Sequence, residues 1–96
     1  MTQYSDLALL ISVEHAETLA LLTEEAALIE DYVETEKLAR ELVEIMQILH
    51  GPQHLEVGIA QFYLALALEE QGKEAEALEI RKHARRILLG HTYWRN

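Results

Sequence analysis

Leu49–Lys73 reads LHGPQHLEVGIAQFYLALALEEQGK, and its punctuation decides the fold. Gly51-Pro52 stops one helix and Gly72-Lys73 stops the next, because glycine takes the left-handed conformation that ends a helix and proline cannot continue one. Between these stops, from about Leu55 to Gln71, apolar residues lie round much of a helix: Val57, Ile59, Ala60, Phe62, Tyr63, Leu64, Ala65, Leu66, Ala67 and Leu68. A helix this apolar has to be covered on more than one side.

Upstream, a helix is expected from about Val33 to His50, where Leu38, Leu42, Ile45 and Leu49 recur at spacings of three and four and form one stripe. Before it a helical stretch runs from about Ser5, an N-cap residue type, to about Glu30. It reads equally as one long helix or as two with a break near Val13 or Thr23. Downstream, Glu74 to Leu89 places Ala77, Ile80, Ala84, Ile87 and Leu88 inward, and Gly90 reads as its stop. A short tail with Tyr93 and Trp94 follows. Strand formers are sparse and never alternate cleanly, while Leu, Ala and Glu dominate. Short connections after Glu30 and Gln71 force antiparallel neighbours. The expected fold class is therefore all-α: two antiparallel helical hairpins, 5–50 and 55–89, in one domain spanning 1–96.

A shift of 42 residues, which carries Glu30 onto Gly72, also carries Leu22 onto Leu64, Thr35 onto Ala77 and Ile45 onto Ile87, although Gly51 falls three positions beyond Gly90. The loop Leu49-His50-Gly51-Pro52-Gln53-His54, the Leu64-Ala65 pair and the closing Gln71-Gly72-Lys73 resemble the longer tetratricopeptide repeats of kinesin light chains and related bacterial proteins. In that family two small residues seven apart follow in the next helix, matched here by Ala77 and Ala84. The resemblance covers about Tyr32 to Gly90. It implies hairpins stacked as a short right-handed superhelix that binds protein segments, with Ile59, Phe62, Tyr63, Leu66, Glu69 and Glu70 facing the concave groove. The first hairpin departs from the pattern. Thr23 stands where a small residue is usual, Glu30 replaces the turn glycine and Leu42 replaces a packing alanine. Later, Glu74 replaces a tyrosine and Arg81 an aromatic. Phe62 and Tyr63 stand where peptide-binding members carry asparagines, so neither a carboxylate clamp nor a kinesin cargo specificity carries over.

Eight basic against seventeen acidic residues give a formal charge of -9, which disfavours phosphate backbones and favours basic or neutral peptide partners. The cluster Arg81, Lys82, His83, Arg85 and Arg86 reads as a solvated face near a helix C-terminus. The acidic run Glu24, Glu25, Glu30, Asp31, Glu34 and Glu36 reads likewise. With no cysteine there is neither disulfide nor thiolate chemistry. Leu7 to Val13 is too short and too poorly flanked for a signal peptide or a membrane span, so no membrane partner and a cytoplasmic location are expected. His50 and His54 are separated by a helix break and lack a third ligand, so no metal site is assigned. Paired glutamates such as Glu69-Glu70 sit on helix surfaces, and no phosphate loop or nucleophile motif occurs. No catalytic residue and no cofactor are assigned.

The expected function is a non-catalytic adaptor or scaffold that binds a peptide or helix of a partner protein. Two repeats leave apolar surface over, and a homodimer through Leu7, Leu10, Ile11 and Leu21 would cover it. The alternative is a capping or middle piece of a longer repeat protein with no binding role of its own. A competing role for Phe62, Tyr63 and Leu66 is plain core, covered by Leu7 to Val13.

Overall fold

In the computed structural model the backbone is described for residues 4–93 and side chains for residues 12–90. Four helices follow one another: α1 Tyr4–Leu28, α2 Tyr32–His50, α3 Leu55–Glu70 and α4 Glu74–Tyr93. The segment before Glu30 is one continuous helix, with no break at Val13 or Thr23. Thr23 is tolerated there because its hydroxyl donates to the Leu19 carbonyl of its own helix at 2.6 Å, so a fully buried polar group is satisfied without a neighbour.

The 42-residue shift is written into the hydrogen bonds of the two hairpin turns. At the first, Asp31 N–H donates to Ala26 O and Glu30 N–H to Ala27 O; at the second, Lys73 N–H donates to Leu68 O and Gly72 N–H to Glu69 O. Both are the paired closing bonds of a Schellman turn. Glu30 and Gly72 share the left-handed conformation, with φ of 60° and 81°. Glu30 thus performs the glycine's task without the glycine's freedom. The next helix then begins at once. Asp31 Oδ1 accepts from Glu34 N–H and caps α2.

Gly90 does not end α4, which continues to Tyr93. The expected stop at 89 is thus corrected: the helix runs through Gly90 to the last described residue. Gly90 has a helical backbone and open space around it, and one glycine costs a helix only about 1 kcal/mol.

The core runs through all four helices. Ala16, Leu19 and Ala26 of α1 meet Leu38, Leu42 and Met46 of α2, which in turn cover Val57 and Ala60 of α3. A second cluster joins Ala39, Leu64, Leu68 and Ala77, with Val43, Tyr63 and Ile80 packed against it. Each of the larger side chains contributes about 1.5–3 kcal/mol by leaving water. Ala77 and Ala84 are buried, as the small pair on α4 predicts. Gly58 adds an unanticipated close contact, because a Cβ there would lie 2.9 Å from Ile87 Cγ2. Only a residue without a side chain lets α3 and α4 approach this closely.

A polar clasp holds the second turn against the first. Gln71 Nε2 donates to Tyr32 O at 3.2 Å and to Glu36 Oε1 at 2.9 Å, and Lys73 Nζ reaches the same carboxylate at 3.0 Å. Arg40 bridges Glu36 and Glu76. Glu36 is therefore not part of a solvated acidic face. Hydrogen bonding to the Lys73 ammonium, with Gln71 and Arg40 after it, outweighs partial burial and lowers its pKa to about 2.

A candidate peptide-binding face

α3 packs on α1, α2 and α4; the backbones of α1 and α3 also approach each other, while α2 and α4 meet only through side chains such as Arg40 and Glu76. α1 and α3, the first helices of the two hairpins, are the pair that the resemblance expects to line a concave side. On α3, Val57, Ala60 and Leu64 are taken up by α2 and Gly58 by α4. At 3.6 residues per turn, the arc left over is about 120° wide and carries Ile59, Phe62, Tyr63, Leu66, Glu69 and Glu70.

Phe62 keeps 50% of its surface in solvent and Ile59 38%, while Leu66 is half-buried. Phe62 is therefore not core. Of the segment Leu7 to Val13 that could cover it, Val13 lines a hollow with Ala16, Met46 and Leu49, and residues 7–11 lie outside the described side chains. Tyr63 is intermediate in a stronger sense, since it packs against the cluster of Ala39 and Leu64. Its hydroxyl is raised above the ordinary phenol range, by burial first and by the neighbouring Glu24 next. Glu69 and Glu70 are exposed, and Glu69 pairs with Arg81 at 2.5 Å. The arc thus has an apolar middle and an acidic C-terminal end. One of its edges, at Phe62, looks toward α4 and the other, at Tyr63, toward α1.

α1 supplies a second half that was not singled out from the sequence. Subtracting 42 from Ile59, Phe62, Tyr63 and Leu66 gives Glu17, Ala20, Leu21 and Glu24. Leu21 is 64% exposed, and Leu28, the counterpart of Glu70, is exposed as well. The signal was present in the repeat register, which fixes facing positions on α1 as firmly as on α3. Of the four residues expected at a self-contact, Leu21 has this place; Leu7, Leu10 and Ile11 lie outside the described side chains.

The loop histidines have a structural task. His54 Nδ1 accepts from Glu56 N–H at 3.1 Å and caps α3, and its ring stacks on His50 at 4.4 Å. Among the described residues no group of three His, Cys, Asp or Glu side chains could hold a metal ion. Among them, too, no helix is long and apolar enough to cross a membrane.

The pairing of hairpins, the shared turn chemistry and the small residues at the α3–α4 contact find their match outside this chain. A family model described as tetratricopeptide repeat matches residues 17–90. The chain belongs to the tetratricopeptide repeat family. The match starts within α1 and ends within α4, so both hairpins are included. No curated protein and no solved structure matches the chain. Tetratricopeptide repeats generally mediate protein–protein interaction and are typically non-catalytic.

Proposed function

We propose that this tetratricopeptide repeat chain is a non-catalytic adaptor of the cytoplasm that holds an extended or helical segment of a partner protein against the concave side of α1 and α3. The observation that carries the reading is the half-exposed Phe62, with Ile59 and Leu66 beside it, on a helix whose other sides are covered. A half-exposed aromatic ring is the kind of side chain that dominates protein contacts when a partner covers it. Glu17 and Glu24 on α1 and Glu69 and Glu70 on α3 give this side an acidic rim, while Arg81 and Arg85 border Phe62 on its α4 edge. The segment that fits pairs a Leu or Phe with flanking Lys or Arg, attracted by the acidic rim and seated on the apolar middle.

A displayed random-peptide library selected on the chain tests this. Enriched peptides are expected to combine basic and large apolar residues, and to bind Phe62→Ala at least about tenfold more weakly while its melting temperature stays close to wild type. Their affinity should fall as salt rises. Enriched peptides that bind Phe62→Ala as well as wild type would refute the assignment.

A further inference from the structure

The outer end of the second hairpin is built on the same plan as the outer end of the first, but the two have different occupants. In the first hairpin, Ala39, Val43 and Met46 of α2 form the seat on which α3 lays Ala60, Tyr63 and Leu64. Adding 42 to the seat gives Arg81, Arg85 and Leu88, which line an open hollow of about 380 Å³ with Phe62 and Leu89. Subtracting 42 from the seated face gives Thr18, Leu21 and Leu22 of α1, which line a second open hollow of about 420 Å³ with Glu24, Glu25 and Leu28. Each hollow is one half of a junction that exists, complete, in the middle of the chain.

The halves are complementary in charge. α1 has no Lys or Arg and carries Glu14, Glu17, Glu24 and Glu25; α4 begins with Glu74, Glu76 and Glu79 but carries Arg81, Lys82, Arg85 and Arg86 over the later turns, where the hollow lies. Arg81 has a buried Nε without a hydrogen-bond partner, although its other end holds Glu69. Two substitutions on the seat, Arg81 for Ala39 and Arg85 for Val43, would spoil it for an apolar helix such as α3. They suit an acidic helix, because arginine lays its stem along leucine and extends its charge to a carboxylate.

We propose that α1 of a second copy docks head to tail on the outer face of α4, repeating between chains the junction that α2 and α3 make within one. Leu21 and Leu22 take the places of Tyr63 and Leu64, and Glu25 that of Ala67, next to the arginines. The two faces of this contact differ, so it does not close on itself in a pair, and copies add one after another. This surface adjoins the concave one and shares Phe62 and Leu21 with it, but its test rests on Arg85, Thr18 and Glu25, which the peptide-binding reading does not use, so the two proposals fail separately.

Sedimentation of the chain over a concentration series tests it, with two variants at exposed positions: Arg85→Glu on α4, and Thr18→Lys with Glu25→Lys on α1. Wild type is expected to form species beyond a dimer as concentration rises, and to return to monomer as salt rises. Each variant alone, checked for wild-type helicity, should associate at least about tenfold more weakly, since like charges then face each other. An equal mixture of the two should recover the wild-type behaviour, because both of its junctions pair opposite charges. Wild type that stays monomeric overturns the proposal and makes the α4 face a polar end cap. Arg85→Glu that associates like wild type also overturns it, in favour of a twofold contact through α1. So does a mixture that fails to recover.

Discussion

Replacing Gly58 by alanine should destabilise the chain, although alanine is the better helix former. Intrinsic propensity favours Gly58→Ala by about 1 kcal/mol in a helix interior. Against this, the new Cβ would lie 2.9 Å from Ile87 Cγ2, 3.2 Å from Ile87 Cβ and 3.4 Å from Leu88 Cδ2. The Leu88 atom is the mobile end of a side chain, but the two Ile87 atoms are the branch itself. A β-branched residue in a helix has one strongly preferred rotamer, and Ile87 is 6% exposed, so it cannot swing aside. α3 and α4 must part by a few tenths of an ångström, an overpacking cost of about 1–3 kcal/mol. The net loss is then about 0–2 kcal/mol. Gly90→Ala is the internal control, because it lies in the same kind of backbone with nothing within 4 Å of its Cβ, and it should gain up to about 1 kcal/mol.

The difference between the two variants removes the propensity term and isolates the packing cost. Urea unfolding followed by far-ultraviolet circular dichroism should place Gly58→Ala about 1–3 kcal/mol below Gly90→Ala. In an Ile87→Ala background, where the obstructing methyl is gone, Gly58→Ala should cost nothing. Gly58→Ala as stable as Gly90→Ala, or an unchanged penalty without Ile87, would refute the close approach of α3 and α4.

Glu30→Gly removes a side chain from a left-handed position and should raise stability by about 1 kcal/mol, read in the same assay; a loss would mean that the first turn does not close like the second. The Glu36 carboxylate, ordinarily near 4.5, is lowered to about 2 in the fold, so its contribution is complete above about 4.5 and is lost as pH falls toward 2. The gap in urea midpoint between wild type and Glu36→Gln should accordingly be wide at neutral pH and close near pH 2; a gap independent of pH would deny the clasp with Lys73 and Gln71. His54→Ala should cost about 0.5–2 kcal/mol through loss of the α3 cap, and His54→Asn, which keeps an acceptor in reach, should cost less. Equal losses in the two would move the role of His54 from the cap to its stacking on His50.

Helix type and pairing were legible because their causes are local. The stops at Gly51 and Gly72 act through backbone conformation, and a heavily apolar α3 admits no position except between other helices. Gly90 misled because glycine ends a helix only when the chain turns there. In α4 the backbone stays helical through Gly90, whose φ is not left-handed, so the residue type alone did not stop the helix. What the sequence withheld concerns pairs of residues. Gly58 looks like a blemish in an apolar helix until Ile87 stands opposite it. Glu36 looks like one acid in a run until Gln71 and Lys73, 35 and 37 positions away, close on it. The candidate face was half visible for the same reason. Positions on α3 came from the resemblance, while those on α1 needed the register of a first hairpin whose residues depart from the pattern.

Those departures follow a physical rule. At each turn and close contact the backbone demands a conformation or a volume, and several residue types can meet it at different cost. Gly72 meets the left-handed demand freely and Glu30 under strain; Ala65 and Ala77 meet the volume demand outright, while their counterparts Thr23 and Thr35 meet it by folding a hydroxyl back onto the helix carbonyl four residues earlier. The demands are identical in the two hairpins, and so the hydrogen bonds repeat where the residues do not. Faces that meet solvent carry no such demand. There the counterpart of Ala39 becomes Arg81 and that of Leu66 becomes Glu24, and it is in these free positions that the two hairpins of one fold acquire different partners.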